Sequence, residues 1–175
     1  LITEFTSEER REIISLIEIP QHMKDSLLTR EDRVFYEHKG FSALAIVRAF
    51  VGVATRRNLG GGSTLTQQLI KNKVLSNEKS YKRKIQEAYL AYELEHTISK
   101  DDILEAYMND VFLGESNYGF AAAAKDYFGK TLDQLTIREC AMLAGMVQKP
   151  CGAPRPVENI ITCAPVAAMP VRISG

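Results

Sequence analysis

Apolar positions along this chain recur at helical spacing far more often than they alternate. Thr6-x-x-Glu9 has the form of a capping box, and Ile13, Ile14, Leu16 and Ile17 give the helix that follows an apolar stripe. Pro20 ends it. Gln21 to Arg30 reads as a short helix or turn that carries Met23, Leu27 and Leu28 towards a core. Ser42 can cap a helix through about Arg56, whose apolar residues, from Leu44 to Val53, cover more than one face. That suits a deeply buried helix, or one whose outer face touches something greasy. Arg57 to Gly62 breaks the pattern as a glycine-rich loop, and Thr64-x-x-Gln67 caps the next helix. A longer helix is predicted from about Ser80 to Thr97, with Ile85, Ala88, Tyr89, Tyr92 and Leu94 as its apolar face. Ser99-x-x-Asp102 and Thr136-x-x-Glu139 open two more, and Phe120 to Phe128 is an alanine-rich helix stopped by Gly129. No segment alternates convincingly as a strand, although Asp110 to Tyr118 leaves room for a short hairpin. The fold class is mainly α, without repeats or low-complexity tracts.

At 175 residues and 45% hydrophobic, the chain can build one domain, or two lobes around a cleft. Lys plus Arg and Asp plus Glu both total 22, so net charge offers no argument for nucleic acid. The signs are unevenly placed, however. Lys71, Lys73, Lys79, Lys82, Arg83 and Lys84 form a basic block, followed by an acidic one from Glu87 to Asp110. Such a pair suits an anionic ligand held beside catalytic carboxylates, and equally two solvated helices that pair with each other. Cys140, Cys151 and Cys163 are too few and too irregular for a disulfide framework or a metal site. No stretch reaches the roughly 20 apolar residues of a membrane span. Leu1 is not a natural start, so an anchor upstream of it is compatible with the sequence.

The densest chemistry lies in Glu31-Asp32-Arg33-Val34-Phe35-Tyr36-Glu37-His38-Lys39-Gly40. Read alone, it is either a solvated turn with ordinary ion pairs or a cleft carboxylate poised as acid or base. A second stretch, Gly60 to Asn72, sets glycines before hydroxyls at a helix start, where free N–H groups and the helix dipole favour an anion. It lacks the glycine-lysine junction of a nucleotide-triphosphate loop. Glu87 stands four residues after Arg83, as in a plain salt bridge, or as the second carboxylate that glycosidic chemistry uses. His38 reads as a hydrogen-bonded residue of its turn rather than a base, with Asp32 and Arg33 as local partners of Glu31 and Phe35 as a core anchor.

Taken together these motifs resemble the glycosyltransferase module of class A penicillin-binding proteins and the monofunctional peptidoglycan glycosyltransferases, glycosyltransferase family 51. The matching segments are Glu31-Asp-x-x-Phe35-x-x-His38-x-Gly40, Gly61-x-Ser63-Thr64-x-Thr66-Gln67-Gln68-x-x-Lys71-Asn72, Arg83-Lys84-x-x-Glu87, Lys100-x-x-Ile103-Leu104-x-x-Tyr107-x-Asn109 and the Arg138 to Leu143 helix. The resemblance implies a lysozyme-like head lobe, a smaller membrane-associated jaw lobe (approximately 42–62) and a cleft between them, within a domain spanning 1–150. It implies polymerisation of lipid II into β-1,4-linked glycan by inverting transfer, with release of undecaprenyl diphosphate. Carried over by position, Glu31 is the general base and Glu87 orients the diphosphate side. Ser63, Thr64, Gln67, Gln68, Lys71, Asn72, Lys79, Arg83 and Lys84 are the substrate-binding set. At Lys79 the family often has arginine, so a bidentate grip becomes a point charge.

The same resemblance implies no required cofactor and no certain metal ligand, with magnesium or manganese as an optional aid to the diphosphate. Its implied partners are lipid II, the growing glycan chain, the bacterial cytoplasmic membrane and other cell-wall synthesis proteins, without nucleic acid. It implies moenomycin-type inhibition and action at the outer face of that membrane. Residues 151–175 depart from the family pattern: they form a proline-rich tail with no helical periodicity, and stay unassigned. A lysozyme-like lytic enzyme and a non-catalytic membrane-surface scaffold are the alternatives. The lysine and arginine set argues against the first, and Glu31 and Glu87 beside the Ser63 to Lys71 loop argue against the second.

Overall fold

The computed structural model describes residues 10–41, 55, 63–73 and 81–148. The expected jaw segment, the loop before Ser63, Lys79 and the tail after 150 fall outside these residues, apart from Thr55. Among the described residues the architecture is mainly helical, in keeping with a lysozyme-like head. Its α-helices are α1 (Gln21–Glu31), α2 (Leu65–Lys73), α3 (Tyr81–Thr97), α4 (Lys100–Asp110), α5 (Phe120–Phe128) and α6 (Ile137–Met146). One core unites them, with Met23 and Leu27 of α1, Phe35, Leu65, Ile103, Leu104 and Tyr107 of α4, Phe120, and Leu143 of α6 all fully buried.

Caps set the helix starts as the sequence suggests. Thr64 and Gln67 exchange backbone and side-chain bonds at the head of α2, and Ser99 accepts from the Asp102 amide at 3.2 Å. Thr136 and Glu139 close a reciprocal box on α6. Gly129, in the left-handed conformation at φ +64°, ends α5.

Two predicted features differ. No α-helix precedes Pro20 among the described residues. Arg10–Arg11 (β1) is instead a short strand, parallel to Asn117–Tyr118 (β2), and a 3-10 turn covers Leu16–Glu18. Side chains of α4 capture the intervening backbone. Asn109 accepts from Ile14 N at 3.0 Å and donates to Ile14 O at 2.8 Å, while Glu105 accepts from Leu16 N. With its backbone satisfied from outside, the segment needs no helix, and Ile17 is left 93% exposed. The hairpin does form: Phe112 and Tyr118 bridge, and Leu113 N donates to Asn117 O at 3.0 Å.

The second difference is the orientation of α3. Ile85, Tyr89 and Tyr92 face outwards, Ile85 at 71% exposure, while Glu87 and Ala91 are buried along with the side chain of Glu95. These three recur at i, i+4 and i+8, so one stripe faces inwards, and it is mostly carboxylate. The inversion holds because each acid finds cations or hydrogen-bond donors, described below, and because small Ala91 lets Gly40 reach the helix backbone.

Gly40 is the closest contact between that stripe and the turn after α1. Its φ is +83°, and a Cβ there would stand 2.5 Å from Tyr92 N. Gly40→Ala is therefore expected to lose on the order of 3 kcal/mol or more in urea unfolding, from strain and overlap together. Gly129→Ala, with positive φ but open space around it, should lose only about 1 kcal/mol. Equal losses would show that the Tyr92 contact is unimportant.

Candidate active site

The turn Asp32 to Gly40 is held by a buried charged cluster. His38 Nε2 donates to Asp32 Oδ2 at 2.8 Å, and the same carboxylate oxygen accepts from Leu65 N at 3.2 Å. On the other side of the ring, His38 Nδ1 lies 3.7 Å from Glu95 Oε2, and Lys100 Nζ lies 2.7 Å from that oxygen. Glu95 also accepts from Gly40 N and from the Thr66 hydroxyl. Phe35 supports the cluster from the core, with Lys100 Nζ 4.4 Å from its ring centre. Burial works against a charged His38, but hydrogen bonds to Asp32 and Glu95 prevail and raise its pKa to about 9. Burial likewise opposes ionisation of Glu95, and bonds from His38, Lys100 and Thr66 hold it at about 2.

Glu31, the last residue of α1, sits at the edge of this cluster and takes no part in it. Asp32 pairs with His38, and Arg33 Nε donates to Thr29 O at 3.0 Å, so neither is the local partner of Glu31 that the sequence suggests. The Glu31 oxygens instead accept from two neutral amides. Gln68 Nε2 donates to Oε2 and Gln148 Nε2 to Oε1, each at 3.1 Å. Gln68 Oε1 in turn accepts from the Tyr107 hydroxyl at 3.0 Å. Glu31 is half-buried, open enough to meet a ligand and close enough to the core to be held still.

Glu87 is placed differently. It is 1% exposed, with Arg83 Nε 3.0 Å from Oε1 and Lys84 Nζ 2.8 Å from Oε2. Lys84 Nζ also donates to Ser63 Oγ at 2.7 Å, which ties α3 to the segment just before α2. This local charge is neutralised twice, by cations from its own helix. Glu87 Oε1, although close to Arg83, has no hydrogen-bond partner among the described residues. Among the described residues no cluster of three or more His, Cys, Asp or Glu is arranged to hold a metal ion.

The structure thus brings Glu31 together with Gln68, and Glu87 with Arg83, Lys84 and Ser63. Thr64 and Gln67 are buried in the cap of α2, with the Thr64 hydroxyl donating to Gly40 O at 2.9 Å. Lys71 and Asn72 are exposed on the last turns of α2. Tyr107 and Gln148 are additions. The first stands in the Lys100 to Asn109 motif without a role assigned from sequence, and the second carries no signal until the fold sets it beside Glu31. A separate hollow of about 430 Å³ is formed by Arg10, Arg11, Glu12, Ala122, Lys125 and Asp126, and its charges pair among themselves as Arg10 with Asp126 and Lys125 with Glu12.

A helix-borne glutamate beside a hydroxyl-bearing helix start, with a second carboxylate held by basic residues, is compatible with a glycan-processing protein. The family model described as transglycosylase matches residues 1–162, and the chain belongs to that family. It is 44% identical over 153 residues to penicillin-binding protein 1A of Neisseria flavescens, covering 87% of this chain and 19% of that protein. It is 46% identical over 144 residues to penicillin-binding protein 1A of Haemophilus influenzae, covering 82% and 17%. Penicillin-binding protein 1A of Clostridium botulinum matches at 44% over 149 residues, with 82% and 18% covered. The chain thus spans less than a fifth of the length of each of these relatives.

The buried cluster makes stability depend on pH. Because His38 is raised from 6.5 to about 9, its contribution is complete below about 6.5 and is lost as pH rises through 9. Glu95, lowered from 4.5 to about 2, contributes above 4.5 and ceases to as pH falls through 2. The urea midpoint should therefore decline between pH 7 and 9.5, and His38→Gln should be less stable at pH 6 with that alkaline decline largely removed. An equally steep decline in the variant would assign it to other groups.

Proposed function

We propose that this chain polymerises lipid II into β-1,4-linked glycan, with Glu31 as the general base. One observation carries the reading: among the described residues Glu31 is bound only by neutral amides, whereas Asp32, Glu87 and Glu95 are each matched by cationic partners. A carboxylate left uncompensated at the edge of a buried network is suited to accept a proton. In the proposed step, Glu31 takes the proton of the acceptor 4-hydroxyl while that oxygen attacks C1 of the donor sugar. The bond from C1 to the diphosphate oxygen breaks, and undecaprenyl diphosphate leaves with the electron pair. The configuration at C1 inverts from α to β.

The leaving group is already a stabilised anion, so cations can supply much of the catalysis. Lys71 lies three residues after Gln68, on the same side of α2, and is exposed to receive the diphosphate. Arg83 and Lys84 hold Glu87 and, through Lys84, Ser63, so that hydroxyl stands beside positive charge. Thr64 and Gln67 serve the site through the cap that places Ser63 and Gln68, and Asn72 extends the polar lining, with Lys79 assigned to the diphosphate by its place in the sequence alone. No step runs through a metal. The reading places the reaction at the outer face of the bacterial cytoplasmic membrane, with the growing glycan and other cell-wall synthesis proteins as partners and moenomycin-type compounds as inhibitors. No helix among the described residues is long and apolar enough to cross a membrane.

Incubation of the purified protein with labelled lipid II in detergent should yield a ladder of glycan products on a gel. Shortened glycan from isolated sacculi, with no ladder from lipid II, would make the protein lytic instead. Lys71→Ala should reduce ladder formation by roughly tenfold or more while leaving the unfolding midpoint in place. A parallel loss of stability would make Lys71 a structural residue.

A further inference from the structure

We propose that Tyr107 is a positioning residue that aims the Glu31 carboxylate through the side-chain amide of Gln68. The inference rests on the reading of Glu31 as the base. The chemistry of the three groups allows the chain only one direction. A carboxylate accepts hydrogen bonds and donates none, so the Gln68 amide must turn its Nε2 towards Glu31, where it lies 3.1 Å from Oε2. That leaves Oε1 on the far side, 3.0 Å from the Tyr107 hydroxyl. An amide oxygen only accepts, so the phenol must be the donor. Burial, with the Glu31 charge adding to it, raises the Tyr107 pKa far above the ordinary range, so the donor keeps its proton.

If the amide were turned over, its oxygen would face the carboxylate and two acceptors would be in contact. With the orientation so set by Glu31, the phenol hydroxyl donates to the far end of the amide and fixes where that amide stands. Tyr107 is well placed to do so. It lies on α4, fully buried in the common core, with Leu104 and Met108 beside it in the same cluster. Gln148, which supports the other oxygen of Glu31, is an exposed side chain just beyond α6. The rigid end of the arrangement is therefore the Tyr107 end, and core packing is passed to the base through a single amide.

Tyr107→Phe keeps the ring in the core and deletes only the donor. In a continuous lipid II polymerisation assay it should lower kcat by about tenfold, with KM for lipid II within about twofold of the parent and the thermal midpoint preserved. Gln68→Met should lower kcat at least as far, again without a matching rise in KM. The double variant should be no slower than Gln68→Met alone, because Tyr107 acts only through the amide. Parent-like kcat in Tyr107→Phe, a loss carried by KM, or multiplied losses in the double variant would each overturn the proposal. Should Tyr107→Phe fail to fold, Gln68→Met decides by itself: unchanged kcat overturns the relay, and reduced kcat at constant KM supports it. Glu31→Gln in the same assay separates the two levels. If it polymerises at the parent rate, the base assignment falls. If it is inactive while Tyr107→Phe is parent-like, only the positioning role falls.

Discussion

A histidine held between two carboxylates is the contact on which the rest of this structure depends. His38 reaches Asp32 on one side and Glu95 on the other, and those two acids in turn grip Leu65 N, Gly40 N and Thr66. One charged cluster thereby fastens the turn after α1 to the start of α2 and to the inner face of α3. Isolated charges in such a place would be very costly to bury. Here the positive charge of His38 and Lys100 sits among the negative charges, and most of the hydrogen bonds run from one element to another. Moving any one of these elements would leave a buried charge unmatched, so the turn has little freedom, and Glu31 immediately before it inherits that rigidity.

The same electrostatics divides the carboxylates into two kinds. Asp32, Glu87 and Glu95 are consumed by partners, whereas among the described residues Glu31 meets only the amides of Gln68 and Gln148. The division bears on mechanism. A second carboxylate acting as a nucleophile would have to be open to the sugar, and Glu87 is buried against Arg83 and Lys84. Its place is to organise the cations and Ser63. A single displacement assisted by Glu31 is the course this arrangement favours.

Much of the fold is legible in the sequence where local signals decide it. The capping boxes at Thr64 and Thr136, the Ser99 cap and the Gly129 stop all form, because each depends on residues within a turn of one another. The misreadings occur where distant partners decide. Ile13 to Ile17 have the spacing of an α-helix, but Asn109 and Glu105, nearly a hundred positions away in sequence, satisfy the Ile14 and Leu16 backbone without one. Ile85, Tyr89 and Tyr92 look like the core face of α3, yet Glu87 and Glu95 take the inner side because their counter-charges lie there. The site is similar. Glu31 and Glu87 stand out by residue type and spacing, and Phe35 anchors the turn as its pattern suggests. Asp32 turns to His38 instead of Glu31, and Gln148 and the hydroxyl of Tyr107 acquire a role only when α4 and α6 close on α1 and α2.

The central claim is that one free carboxylate assists one displacement. The most direct measurement is the anomeric configuration of the new glycosidic bond, read by NMR in the first product formed from an α-linked lipid diphosphate donor. The account predicts a β linkage. Retention of the α configuration would require two displacements through a second nucleophile, and would contradict it.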